Sequence, residues 1–488
     1  MNSVPPIRVS NANKHRVNKG GDFVLYWMVA FRRPRFNFSL QRAVDWAVNL
    51  KKPIVILEAL RCNYPWASDR LHKFILEGMN DNERYFERKD VFYYPYVEPR
   101  PDSGKGLLQN LSKKACLIIT DDYPCFFIPE MIRKSASKIP ILMEKVDSNG
   151  ILPMRAADRI FTTAYSFRRF LQKKLPEHLL EFPKSEPLKK ADVPLLKKIP
   201  KEIFHRWPFA DPDMLKGNIK SILSLPIDHD VTPTNQKGGT GKSRRLLKQF
   251  LENRLPIYSE KHNAPENNGT SGLSPYIHFG HISVHEILQN LLKNESWFYD
   301  SLSQKSTGSK TGWWGVGESA EAFIDQLVTW RELGFNRCWQ QNDYDQYHSL
   351  PEWAQTTLKN HSMDKREYIY SLEEFESGQT HDPLWNAAQM QLVRDGIIHN
   401  YLRMLWGKKI LEWTPKPSIA LNIMIELNNR YALDGRDPNS YSGIFWILGR
   451  YDRAWGPIRP VFGKIRYMSS KNTARKVRVK DYIKKYSP

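Results

Sequence analysis

The chain of 488 residues predicts two architectures in series: an α/β unit with a doubly wound parallel sheet, then an all-α unit. Three observations carry this. Up to about residue 170, short uninterrupted apolar runs alternate with amphipathic stretches, the pattern of strands buried on both faces between crossover helices. From about Arg244 onward the apolar period is helical, with breaks at Pro and Gly. Between these regions, residues 171–228 are rich in Lys, Pro and Glu, the composition of a connection running over a surface.

Residues 1–20 are polar, basic and without period, and predict a disordered tail. The runs FVLYWMVAF, PIVILEAL, VFYYPYV, ACLIITDD and IPILMEKV predict five buried strands between Phe23 and Val146. SLQRAVDWAVNLKK and DRLHKFILEGMNDNERYFER between them predict helices. Such a sheet places a ligand crevice at its carboxyl edge. The expected domains are therefore 21–170 for the α/β unit, 171–228 for the connection and 229–488 for the helical unit. Within the last, SLSQKSTGSKTGWWGVG (Ser301–Gly317) predicts a flexible surface loop.

Lys and Arg number 73 against 52 Asp and Glu, a formal charge of +21, which favours a polyanionic partner, most simply nucleic acid. A merely well-solvated surface is the alternative; the 12% aromatic content favours nucleic acid, because bases stack on aromatic faces. No apolar run approaches the roughly 20 residues of a membrane span. Phe23–Phe31 is short and followed by RRPR, which suits a buried strand better than a secretory signal. A soluble intracellular protein, cytoplasmic or nuclear, without a membrane partner and monomeric, is the expectation. Cys62, Cys116, Cys125 and Cys338 form no close pair, so neither a disulfide framework nor a metal site is expected.

Two motifs invite phosphate. TNQKGGTGKS (Thr234–Ser243) matches a deviant Walker A loop as a string. That loop should follow a buried strand, whereas IDHDVTPT before it is polar and turn-forming, so an ATPase is disfavoured. NNGTSGLSPYIHFGHIS offers a Ser/Gly turn at a helix start, where unpaired N–H groups meet anions. As a lone motif it reads first as a simple cap, with Ser274 at the N-cap and Pro275 at N1.

The most unusual stretch is Thr380–Tyr467, which carries tryptophans 385, 406, 413, 446 and 455 among helical repeats and one polar turn, DGRDPN. Asp382, Pro383 and Gly396 mark the cap, start and end of a helix bearing Trp385. Trp406 and Trp413, seven apart on the next helix, share a face about 10 Å apart along the axis. Indoles at that spacing ordinarily mean core packing; beside a polar turn they also suit a site that moves electrons.

The words THDPLWNAAQMQ, YLRMLWGKKILEWT, LNNRYALDGRDPN and RPVFGKIRYM resemble the flavin-binding helical domain of class II cyclobutane-pyrimidine-dimer photolyases, of the photolyase/cryptochrome family. Weaker matches run back through SGLSPYIHFGHIS to YWMVAFRRPRFNFSL, so the likeness covers most of the chain. It implies a Rossmann-like first domain and a light-driven lyase that splits cyclobutane dimers in UV-damaged double-stranded DNA, using reduced, anionic FAD. A second antenna chromophore, a deazaflavin or a folate, is common in the family, and no residue here chooses between those and an empty crevice. The resemblance assigns Tyr258, Ser271, Gly272, Leu273 and Ser274 to the FAD diphosphate. Arg331, Arg403, Asn428, Asp434 and Asp437 join the cofactor set: Arg403 and Asp434 pair beside the isoalloxazine, and Asn428 faces the flavin N5. It makes Trp406, Trp385 and Trp413 an electron wire, with Trp413 outermost. It lines the lesion pocket with Gln326, Trp330, Met404 and Trp446, and gives Arg453 to the DNA backbone. Gln326 departs from the family, which carries a glutamate there. An amide has no charge and no proton to share, which raises the alternative of a changed lesion, such as (6–4) products, or of a cryptochrome-like photoreceptor. Asp325, one residue away on a helix, faces elsewhere.

Overall fold

The computed structural model describes residues 3–488 apart from Lys197 and Asn268. Residues 1 and 2 of the expected tail, residue 197 of the expected connection and Asn268 of the NNGTSGLSP motif lie outside the described residues. The chain forms two compact units, interleaved in sequence. The first comprises 1–158, 174–248 and 273–293, and the second 159–173, 249–272 and 294–488. This differs from the linear division expected: most of the Lys/Pro-rich stretch is folded into the first unit. Hydrogen bonds tie it there: the Ala210 N–H donates to Pro95 O, the Asp228 N–H to Ala67 O, and the Tyr94 hydroxyl to Trp207 O.

The first unit is a six-stranded sheet of order β1-β6-β5-β2-β3-β4. Its strands are β1 Val9–Asn11, β2 Phe23–Met28, β3 Ile54–Leu60, β4 Phe92–Val97, β5 Ala115–Asp121 and β6 Met143–Val146. All five apolar runs are strands, and they pair in parallel; Val24 lies opposite Ile54 on one side and Leu117 on the other. Every residue of β2 and β5 is buried, as doubly covered strands require. Helix α1 (Phe38–Leu50) starts at Asn37, whose side chain accepts from the Leu40 N–H, and packs Phe38, Leu40, Ala43 and Val44 on the sheet. Helix α2 (Asp69–Phe86) follows β3.

The expected disordered tail is instead structured. A 3₁₀ turn, Pro6–Arg8, leads into β1, which pairs antiparallel with β6, Val9 opposite Val146. Arg8 is fully buried; it donates to Ile151 O at 2.6 Å and faces Asp147. A buried guanidinium is costly unless its donors find acceptors, and the Asp147 and Ile151 carbonyls after β6 take its two terminal nitrogens. A polar composition hid a three-residue strand.

Strand order reverses between β2 and β5, the point where such sheets bind ligands. There the N–H groups of Val29, Ala30 and Phe31 converge on Asp121 Oδ2, at 2.9, 2.8 and 2.9 Å. An amide concavity of this kind attracts anions, and here the protein's own carboxylate occupies it.

The second unit is helical. Its principal helices are α3 Arg331–Gln340, α4 Pro383–Asp395, α5 Asn400–Glu412, α6 Pro417–Tyr431, α7 Pro438–Ile447 and α8 Lys480–Tyr486. α4 has the predicted punctuation: the Asp382 carboxylate accepts from the Leu384 and Trp385 N–H groups, Pro383 starts it, and Gly396 ends it at φ 66°. The predicted loop Ser301–Gly317 is anchored rather than loose. Glu321 accepts from the N–H groups of Gly312, Trp313 and Trp314, and both indoles are buried.

Candidate functional site

α5, α6 and α7 pack together, and the DGRDPN turn joins the last two. From α5, Arg403 donates to Asp434 Oδ1 at 3.0 Å, each side chain less than one-fifth exposed. The predicted pair is thus formed, and Arg403 Nε stays buried without a protein acceptor. Asp437, expected beside it, is the N-cap of α7 and accepts from the Asn439 N–H at 2.8 Å. The turn is built on Arg436, which the sequence did not single out. It sits at φ 62°, fully buried, and its guanidinium donates to the carbonyls of Asn429 and Ala432 at the end of α6. A Cβ on Gly435 would stand 2.7 Å from Asn428 O, so only glycine fits there.

Asn428 lies inside α6, 1% exposed. Its amide nitrogen donates to Ser440 Oγ at 2.8 Å and to Asn429 Oδ1 at 3.2 Å, so both amide hydrogens are used within the protein. Arg331 begins α3, buried, with its guanidinium 4.2 Å from the Phe335 ring centre. Tyr258 is buried against His262 (4.8 Å, stacked), Phe250 and Phe323, and burial pushes its phenol up.

The division between units falls between Gly272 and Leu273, so the predicted diphosphate turn is described in halves. On one side, Arg254 holds the Thr270 carbonyl at 2.9 Å, and Gly272 takes φ +69° with nothing within 4 Å of the place a Cβ would occupy. On the other, the predicted cap is displaced by one: Leu273, not Ser274, is the N-cap of the short helix Ser274–His278, and Ser274 is its first, exposed residue. A buried guanidinium nitrogen without an acceptor and a glycine bordered by open space fit a bound anionic dinucleotide such as FAD.

The three indoles form a connected series. Trp406 Nε1–H donates to Gln389 Oε1 at 2.8 Å, and Trp385 Nε1–H to the Trp406 carbonyl at 2.9 Å. Trp385 and Trp413 meet edge-on, centroids 5.9 Å apart. Trp413, expected outermost, is itself buried; the rings of His381 (4.9 Å) and Tyr370 (5.6 Å) lie beyond it, and His381 is exposed.

Trp330 and Trp446 stack at 4.8 Å with planes 24° apart, both half-buried. Trp330 closes a π-helical stretch, Asp325–Trp330, that runs into α3; such widened turns recur at functional sites. Gln326 is exposed on that stretch, and Met404 is half-buried on α5. Asp325 does face elsewhere: Arg168 holds it in a two-bonded ion pair, 2.8 and 3.0 Å. Arg453 is exposed and covers the Trp455 ring at 4.6 Å, and Arg466 lies 5.2 Å from the same ring. The Arg168 clamp, Gln389 beneath Trp406, and Ser440 beside Asn428 carry no sequence signal, because each acts across a long separation.

The KGGTGKS loop is closed to phosphate. The Gly238 N–H donates to Glu77 Oε2 at 2.7 Å, Gly239 to His281 Nδ1 at 3.0 Å and Gly241 to Asp81 Oδ2 at 2.8 Å. Carboxylates and a histidine already take the donors that a nucleotide would need. Among the described residues no His/Cys/Asp/Glu group could hold a metal ion, and no helix is long and apolar enough to cross a membrane.

No family model matches the chain. A deoxyribodipyrimidine photo-lyase of Methanothermobacter thermautotrophicus is 34% identical to it over 477 residues, 98% of this chain and 97% of that protein. One from Potorous tridactylus is 32% identical over 490 residues, 99% of this chain and 84% of that protein. The crystal structure of a bacterial class III photolyase from Agrobacterium tumefaciens shares the fold, with a TM-score of 0.66 over 96% of this chain and 86% of that one, at 15% identity. Near-full-length identity above 30% and a shared two-part fold lead to one conclusion: the chain belongs to the photolyase/cryptochrome family of flavoproteins and is a photolyase-type lyase of DNA repair.

Proposed function

We propose that this photolyase splits cyclobutane pyrimidine dimers in double-stranded DNA, in the manner of the class II enzymes that its motifs resemble, with FAD bound among α5, α6 and α7. Bound in its reduced form, FAD would supply the light-excited electron that opens the cyclobutane ring. The chain's residues provide place and polarity. Arg403 and Asp434 would fix the cofactor, Gly272 would admit its phosphates, and Asn428, with its amide hydrogens spent on Ser440 and Asn429, would hold a set orientation beside the ring. Trp330 and Trp446 would stack on the everted pyrimidines, Gln326 would donate to or accept from a base edge, and Arg453 would hold the backbone.

The observation that supports this reading most strongly is α5 itself. Arg403 and Trp406, three apart, share one helical face, and Met404 turns about 100° from Arg403. Cofactor contact, electron relay and lesion lining thus follow from one rigid element. The test is lesion-resolved repair under blue light by the reduced protein, with cyclobutane dimers and (6–4) products in separate duplexes. Loss of cyclobutane dimers alone is expected. Repair of (6–4) products alone would replace the substrate assignment, and repair of neither would favour a photoreceptor.

A further inference from the structure

Lys408 is fully buried on α5, and its Nζ donates to the carbonyl of Ile447, the last residue of α7. The two helices are in close contact there: a Cβ on neighbouring Gly407 would overlap Ile447 Cδ1 and come within 2.9 Å of Met424 Sδ. Trp446, one residue before Ile447, is the ring stacked on Trp330. The charges acting on Lys408 are Asp452, which favours the ammonium, and Arg466, which opposes it. α7 itself carries no carboxylate, lysine, arginine or histidine. Among the described residues no carboxylate pairs with Lys408, and burial lowers it to about 7. Burying an ammonium against one carbonyl costs stability that an apolar side chain would not. A cation at a helix C-terminus does, however, fix the last turn of that helix.

We propose that Lys408 is a positioning residue for lesion binding: its ammonium pins the carbonyl end of α7 and so sets Trp446 against Trp330. This rests on the reading of that tryptophan pair as the lesion-binding walls. Fully buried and bonded to the Ile447 carbonyl, the lysine acts through α7.

The test compares the flavin-loaded parent protein with Lys408→Met and Lys408→Arg. Affinity is measured for a duplex with one cyclobutane dimer and for its undamaged twin, from pH 6 to 9 at constant salt, together with flavin content and Tm. In the parent, the lesion preference should fall as pH rises through about 7. Thermal stability should not fall, because the unfolded lysine keeps its proton to higher pH and stability rises across that interval. Lys408→Met should retain flavin, undamaged-duplex affinity and Tm, and lose the lesion preference about tenfold at pH 6, the scale of one stacked base. Lys408→Arg should keep the preference and abolish its pH dependence. A parental preference in Lys408→Met at every pH overturns the proposal. So does a Lys408→Met that sheds flavin and unfolds while Lys408→Arg behaves like the parent at every pH, pH dependence included. A parent with no lesion preference refutes the underlying reading instead, so the two failures appear in different samples.

Discussion

Gln326 and Arg403 show how far single side chains can be read. Gln326 stands exposed while the carboxylate beside it is clamped by Arg168, so the amide has no acid to share its position. We expect Gln326→Glu to leave dimer repair by prereduced protein unchanged or faster, followed as loss of dimers under blue light. Abolished repair would assign Gln326 to a different lesion chemistry. Arg403 is the reverse case, a largely buried cation whose removal strands Asp434. Arg403→Met should cost about 3 kcal/mol in urea unfolding, because breaking a largely buried pair leaves an uncompensated charge, and the purified protein should retain little flavin. Arg403, Asp434 and the indoles were legible because their residue types are costly to place and lie in long ordered words. Arg436 was not: a left-handed, fully buried arginine that builds the turn has no local signature, since its acceptors are backbone carbonyls.

Punctuation decided which elements could be read. α4 was predicted at both ends because Asp382, Pro383 and Gly396 each act on their own neighbours. Asp382→Ala should lower stability by about 1 kcal/mol, the usual worth of an N-cap, measurable as a shift in urea midpoint at unchanged slope. The short helix at Ser274 was misjudged by one residue, because Leu273 caps it without a side-chain bond. β1 and the π-helical stretch escaped altogether: three residues are too few for a period, and a widened turn leaves the helical pattern nearly intact. The indole series links two elements, and Trp406→Phe tests it. Photoreduction of the flavin should slow sharply while repair by chemically prereduced protein persists. Gln389 Oε1 would lose its indole donor, at about 1–2 kcal/mol. Unchanged photoreduction would remove Trp406 from the relay.

Over the whole molecule, the two-part architecture was legible and its boundaries were not. Composition along the chain separates sheet from helices, but bonds such as Gly238 to Glu77 fold later segments back into the first unit. His72 and His281, fully buried, and His399, half-buried, give a global prediction. Burial lowers His72 to about 4, His281 to about 3 and His399 to about 4. Each folded-state value lies below the unfolded one, so the unfolded chain binds more protons on acidification. Stability is therefore full above about pH 6.5 and declines towards pH 4. Urea midpoints should fall steeply over that interval, and His281→Asn should make the decline shallower.

The first unit's amide concavities also bear on what it will not hold. Val29, Ala30 and Phe31 at the strand reversal hold one carboxylate tethered by the fold, and the Gly238–Gly241 loop holds two. A free phosphate must displace a competitor that never diffuses away. Asp121→Ala would remove that built-in antagonist and leave a vacancy that small oxyanions in the buffer could fill. These amide clusters are thus occupied from within the fold before any anion arrives.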